Sequence, residues 1–152
     1  MREVELVISD ERLSMAGSSL VHCISVIENC REILLPAGSL GVAFVDEKTC
    51  GKLHESFFDD PEVTDVMTFP GSPEDDHAGD IAICPAVAMQ ASQHSRMPFN
   101  EELSLYLVHA CLHLTGLDDR EEDEIKEMRS AEEAVMQQLR KAKALLDAEW
   151  SG

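Results

Sequence analysis

Apolar residues along this chain recur with two different spacings, and the spacing changes from one segment to the next. Val4 to Ile8 reads as a short opening strand. From about Ser18 to Leu34, apolar residues recur at Leu20, Ile24 and Ile27 with helical spacing, and Pro36-Ala37-Gly38 then forms a turn. Leu40 to Val45 alternates large and small side chains, which suits a strand with one crowded face. Asp46 is placed to cap a helix running to about Phe58. Asp65 to Phe69 and Asp80 to Cys84 read as two further strands, separated by a Pro-, Gly- and Asp-rich loop from Pro70 to Gly79.

From Pro85 onward the pattern predicts helices only. Pro85 suits the first turn of one, where a missing N–H costs nothing. Asn100 is the predicted cap of the next, with Glu101 and Glu102 favourable near its positive end and Gly116 as its left-handed stop. A last helix is expected from near Asp119 towards Ala148, with Ile125, Met128, Val135, Leu139 and Ala142 on one face. Strands followed by segregated helices give an α+β class, a small sheet of about four strands packed with about five helices.

Composition narrows this picture. A length of 152 residues with 44% hydrophobic content suits one compact domain over residues 1–152. No repeat or long linker divides the chain. The first residues, Met1-Arg2-Glu3-Val4-Glu5, carry charges where a signal peptide needs an apolar stretch. No apolar run approaches the roughly 20 residues needed to cross a bilayer. A cytoplasmic location is therefore expected. The five cysteines are odd in number and include no CxxC pair, so buried free thiols are expected, with Cys23 and Cys30 on the apolar side of a helical pattern.

Charge changes the expected partners. Twelve Lys and Arg face thirty Asp and Glu, a formal net charge of −18. Such a surface repels polyanions at long range and lacks a basic cluster to release counterions from nucleic acid. A basic protein partner suits it better.

The candidate chemistry sits at the end of the predicted helix that Gly116 stops. His109 and His113, at i and i+4, share one helix face closely enough to hold one ion. Once Gly116 reverses the chain, Asp119 can return to that ion as third ligand, with Asp118 as the alternative. Three protein ligands leave a fourth position open, the catalytic rather than the structural zinc arrangement. One Zn²⁺ per chain is expected, with other divalent ions possible. Zinc peptidases with this histidine spacing carry a Glu directly after the first His, whereas Ala110 stands here, and peptide hydrolysis lacks its proton acceptor. No nucleotide cofactor motif is present.

These residues resemble the YbeY family of rRNA maturation endoribonucleases. The family motif is similar to His-Gly-x-Leu-His-Leu-x-Gly-Tyr-Asp-His, and this chain matches it at His109, Leu112, His113, Leu114, Gly116 and Asp118. Thr64-Asp65-Val66-Met67-Thr68-Phe69-Pro70 looks like the family's Thr-Asp-Val-Leu-Ser-Phe-Pro strand, and Gly79-Asp80-Ile81 like its Gly-Asp-Ile strand. Glu124, Met128 and Glu132 repeat its four-residue ladder on the last helix. The resemblance covers about Leu53 to Leu139 and implies a small mixed sheet with helices around it. It also implies that Asp65 and Asp80 line the cleft. Glu124 and Glu132, spaced to share a helix face, are candidates either to support the ligand helix or to form a solvated acidic face.

The chain departs from the family at several places. Asp119 stands for the third histidine, Ala110 and Leu117 for the usual Gly and Tyr, and Phe57-Phe58 for a Tyr-Arg pair. An aspartate oxygen ligates zinc, but its charge leaves the ion a weaker Lewis acid than three imidazoles do. Phe58 removes the natural phosphate contact. His22, His54, His77 and His94 are scattered, and exposed or capping roles are expected for them. The first functional expectation is a metal-dependent endoribonuclease acting on rRNA within the ribosomal subunit. The rival is a non-enzymatic assembly factor whose metal staples the last two helices and whose acidic surface meets a basic ribosomal protein. An Arg at the mouth of the metal cleft would favour the enzyme, with Arg96, Arg120 and Arg129 as candidates.

Overall fold

The computed structural model describes residues 2–58 and 65–152, so Thr64 of the Thr-Asp-Val match lies outside the described residues. Strand β1 (Val4–Ile8) is followed by a short strand β2 (Leu13–Met15) and helix α1 (Gly17–Glu28). Strand β3 (Ser39–Phe44), helix α2 (Glu47–Phe58) and the strands β4 (Val66–Ser72) and β5 (His77–Ile83) come next. Helices α3 (Pro85–Ser95), α4 (Phe99–Thr115) and α5 (Glu122–Lys141) precede a final strand β6 (Ala148–Trp150). The main sheet has the order β1-β3-β5-β4, with β1, β3 and β5 parallel and β4 antiparallel at one edge. This is the expected α+β class with a four-stranded mixed sheet.

Alternation decides which side of β3 meets which helices. Leu40, Val42 and Phe44 are buried in the main core with residues of α1, α4 and α5, while Ala43 turns to a smaller cluster with Cys50 of α2, Met67 and Ala82. The sheet thus has apolar clusters on both faces, and α2 covers the one opposite α4. Helix α4 carries no single apolar stripe, because Leu103, Leu107, Val108, Cys111 and Leu112 are all fully buried. A helix apolar on several sides belongs inside, and this one contacts α3, α5, β4 and β5. Truncating one of these leucines to alanine costs about 2–5 kcal/mol, so the helix that carries the two histidines is rigidly seated.

Several element ends differ from expectation, each for a local reason. The strands β4 and β5 run into the expected Pro70–Gly79 loop and leave only a single helical turn, Pro73–Asp75, between Ser72 and His77. Pro70 is tolerated because β4 is an edge strand, whose outer N–H groups need no ladder partner. Helix α1 stops at Glu28 rather than Leu34, with Asn29 and Cys30 N–H groups turning back to Val26 and Ile27 carbonyls. Asn100 is not a cap: α4 starts one residue earlier, after Pro98, and Asn100 Oδ1 instead accepts the Ala148 N–H at 3.1 Å. Helix α5 begins at Glu122 rather than near Asp119 and ends at Lys141 rather than Ala148.

The end of α5 also corrects the expectation of helices alone after Pro85. Lys143 takes a left-handed φ of 54° and the Ala144 N–H bonds the Leu139 carbonyl at 2.8 Å, which reverses the chain. The tail then pairs as β6 with β2, and the Arg12 guanidinium lies 4.6 Å from the Trp150 ring. Arg12 also bonds Asp10 and Glu47, joining this ribbon to α2. All five cysteines are free and buried, as expected. Among the described residues no helix is long and apolar enough to cross a membrane.

Candidate metal centre

Helix α4 ends in a Schellman motif. Gly116 has a φ of 116°, its N–H bonds the His113 carbonyl at 3.0 Å, and the Leu117 N–H bonds the Leu112 carbonyl at 3.1 Å. No atom lies within 4 Å of where a Gly116 Cβ would stand, so backbone conformation alone calls for glycine. This reversal has two consequences. It sets the Leu117 carbonyl 3.0 Å from His113 Nδ1, and it carries Asp119 back over the two histidines.

Each ring has one nitrogen committed. His113 Nδ1–H donates to the Leu117 carbonyl, and His109 Nδ1–H donates to Glu132 Oε2 at 2.5 Å. With both Nδ1 atoms facing acceptors, Nε2 is the nitrogen that each ring has left to offer an ion. The two Nε2 atoms lie only 3.0 Å apart, across rings inclined at 84°. A proton on one ring bridges the two nitrogens as a hydrogen bond, and a metal ion bound by both takes the proton's place. Asp119 completes the group, with Oδ2 at 3.4 Å from His109 Nε2 and Oδ1 at 3.7 Å from His113 Nε2. Zinc bonds of about 2.0–2.1 Å put tetrahedral ligands about 3.3 Å apart. Among the described residues, His109, His113 and Asp119 form the group with the spacing to hold an ion, their donor atoms all within 4.8 Å. Asp118 lines the same cleft but is engaged elsewhere: its carboxylate accepts the Asp119 N–H and lies 3.5 Å from Arg120 Nε.

Glu132 anchors the group from α5. It is buried, and its second oxygen accepts from Arg129 Nη1 at 2.8 Å. Burial alone would push its carboxyl up, but the bonds from His109 and Arg129 outweigh this and hold it below the usual range. Burial likewise pushes the His109 imidazole down, while the Glu132 bond and the nearby Asp119 and Asp65 charges leave it above its ordinary value. Glu124, the other member of the ladder, is engaged elsewhere: it accepts the Glu121 N–H at 2.8 Å and caps α5. Capping there by Glu121 and Glu124 leaves Asp119 without that duty.

The group lies in a cleft of about 470 Å³ whose walls include His54, Phe58, Asp65, Thr68, Leu117 and Arg120. Asp65 therefore lines the cleft, while Asp80 pairs outside it with His77 Nε2 at 2.9 Å. His77 Nδ1 in turn meets Ser39 Oγ at 2.7 Å, so this histidine ties β5 to β3. His22 and His94 are exposed. His54 is the residue the sequence reading passed over: it lines the cleft and its ring lies 4.9 Å from that of Phe58. Its spacing of four from Phe58 on a helix was the available signal. Of the three arginines considered, Arg120 lines the cleft with a side chain 85% exposed, Arg129 holds Glu132, and Arg96 ends α3 in a left-handed conformation. Ala110, after the first histidine, is fully buried in the core.

Comparison with known proteins identifies the family. The family model described as endoribonuclease YbeY matches residues 4–140. The endoribonuclease YbeY of Chlamydia pneumoniae is 32% identical over 140 residues, covering 84% of this chain and 89% of that protein. That of Protochlamydia amoebophila is 39% identical over 107 residues, covering 67% and 71%. The match to that of Acidothermus cellulolyticus, 38% identical, covers 61% of this chain and 65% of the relative, just under two thirds of its length. The solution structure of a Thermotoga maritima protein shares the fold, with a TM-score of 0.60, 24% identity and 95% of each chain covered. Since the family match runs through both the sheet and the histidine helix, this chain belongs to the endoribonuclease YbeY family.

Proposed function

We propose that this chain is a metal-dependent endoribonuclease that acts on rRNA within the ribosomal subunit, with zinc held by His109, His113 and Asp119. The observation that carries the reading is the convergence of His109 Nε2, His113 Nε2 and the Asp119 carboxylate, donor atoms all within 4.8 Å of one another, on one cleft. Both rings are held by their other nitrogens, so they cannot turn away from each other without losing a bond. The donor set of two imidazoles and one carboxylate is a catalytic zinc set. Bound there, the ion supplies Lewis-acid stabilisation of charge developing on a phosphoryl group.

The chain's own residues do the rest. Glu132 fixes the tautomer and orientation of His109, and the Leu117 carbonyl does the same for His113. Arg120 offers an exposed guanidinium at the cleft to meet a phosphate oxygen. That cation is the feature that favours an enzyme over a metal-stapled assembly factor. The net charge of −18 favours the second reading, in which a basic ribosomal protein is the principal contact. Both readings place the protein on the ribosomal subunit in the cytoplasm. The test is metal analysis of purified protein alongside cleavage of structured rRNA, with His113→Ala as control. About one ion per chain and cleavage lost in His113→Ala support the nuclease. One ion per chain with no cleavage of RNA or of subunits leaves the assembly factor.

A further inference from the structure

Cutting an RNA strand leaves charge on the O5′ oxygen, and an alkoxide departs slowly unless a proton reaches it. Among the described residues of the cleft, few side chains can deliver that proton. His109 and His113 commit Nδ1–H to Glu132 and Leu117 and offer Nε2 to an ion, with Asp119 as the third donor. Arg120 gives hydrogen bonds but keeps its protons, because a guanidinium does not deprotonate in proteins. The Thr68 hydroxyl is as weak an acid as the alcohol it would have to supply. Asp65 and Asp118 already serve as acceptors, Asp65 for the Val66 N–H at 2.8 Å and Asp118 for the Asp119 N–H at 2.9 Å.

His54 is the side chain that this leaves. It stands on α2, whereas the three candidate ligands come from α4 and the turn after it, so a further imidazole enters the cleft from a separate element. The residue is half-buried, and its ring lies against Phe58 with centroids 4.9 Å apart and planes inclined at 34°. That contact restrains the ring. Imidazole is the side chain suited to gain and lose a proton near neutral pH.

We propose that His54 is a catalytic residue, the general acid that protonates the O5′ leaving oxygen. This rests on the nuclease reading. As the oxygen of water or of the ribose 2′-OH bonds to phosphorus, the P–O5′ bond breaks and its electron pair stays on O5′. That pair takes the His54 ring proton. The attacking oxygen gives its own proton to solvent at the mouth of the cleft, and the neutral His54 ring regains one from solvent.

The test compares two RNA substrates that differ in the leaving atom, one with the natural 5′-oxygen and one with sulfur in its place. A thiolate is stable in water and leaves without a proton. His54→Gln should slow the natural substrate about 100-fold, the lower end of what a general acid contributes. It should cut the 5′-thio substrate near the wild-type rate, which also shows that the variant is folded. Equal slowing of both substrates, or of neither, overturns the proposal and leaves the nuclease reading standing. A wild type that cuts neither substrate removes both. A second measurement needs no cleavage and no metal. On adding dithymidylate to the chelated full chain, the His54 ring resonances should shift while those of the exposed His22 and His94 stay still. A His54 signal unmoved up to millimolar dithymidylate overturns the proposal as well.

Discussion

At the scale of single residues, the site depends on a few atoms facing the right way. Glu132 acts on the candidate ion only through His109, whose Nδ1–H it accepts at 2.5 Å. Glu132→Ala should therefore weaken zinc affinity about 10–100-fold, the usual effect of removing such a partner. Glu132→Gln, whose amide oxygen still accepts, should lose less. A chelator competition titration reads both, and a melting temperature measured alongside separates lost affinity from lost folding. A drop in stability with zinc affinity unchanged would make Glu132 a core residue and nothing more. Asp119 gives a second test. Carboxylate oxygen tolerates harder ions than imidazole nitrogen does, so Asp119→His should raise affinity for zinc relative to manganese. An unchanged ratio in competition would remove Asp119 from the ligand set. Much of this was legible in the chain, because a spacing of four on a helix fixes which side chains share a face. What was not legible was which ladder carboxylate reaches the histidines. Glu124 and Glu132 are both spaced for it, but Glu124 sits where α5 begins and is engaged by its cap. His54 offered only its spacing of four from Phe58, since its cleft exists only once α2 is packed across the sheet from α4.

At the scale of elements, a single turn controls the site. The Gly116 reversal both ends α4 and delivers the Leu117 carbonyl to His113. Gly116→Ala meets no clash, so its whole effect comes from forcing an L-residue to a φ of 116°. Such strain costs about 1–3 kcal/mol. The denaturation midpoint of Gly116→Ala should fall accordingly, and zinc affinity should fall with it as Leu117 shifts off the ring. A variant as stable as wild type would show that the turn relaxes without strain, contrary to the geometry. The elements with strong local signals appear as read: the large–small alternation of β3, the Asp46 start of α2 with its bond from Thr49 N–H, and the Gly116 stop. The misread elements lack a local signal. The strand β6 is three residues long and owes its existence to β2, more than a hundred residues earlier in the chain. Asn100 looked like a cap because its side chain suits one, yet Pro98 starts the helix first and frees Asn100 for the tail.

At the scale of the whole molecule, net charge governs how the protein meets RNA. A net charge of −18 opposes polyanion binding over the whole surface, and Arg120 is the exposed cation on the cleft. Few phosphates are neutralised on binding, so few counterions are released. For about one or two contacts on single-stranded RNA, the slope of log affinity against log salt should be about −1. Binding to ribosomal subunits should behave differently. Under the assembly-factor proposal a basic protein would meet the acidic surface there, and that contact should weaken as screening shortens the range of exposed charges. The comparison is naked rRNA against subunits across one salt series. Weak, shallow binding to naked RNA alongside firm, salt-sensitive binding to subunits is the expected pair. Tight binding to naked RNA with a steep slope would mean a cationic groove that this surface does not present, and would overturn the charge argument. The expected pair confines cleavage to RNA that the assembled particle brings to the cleft, where a protein contact provides the proximity that the chain's own charge denies.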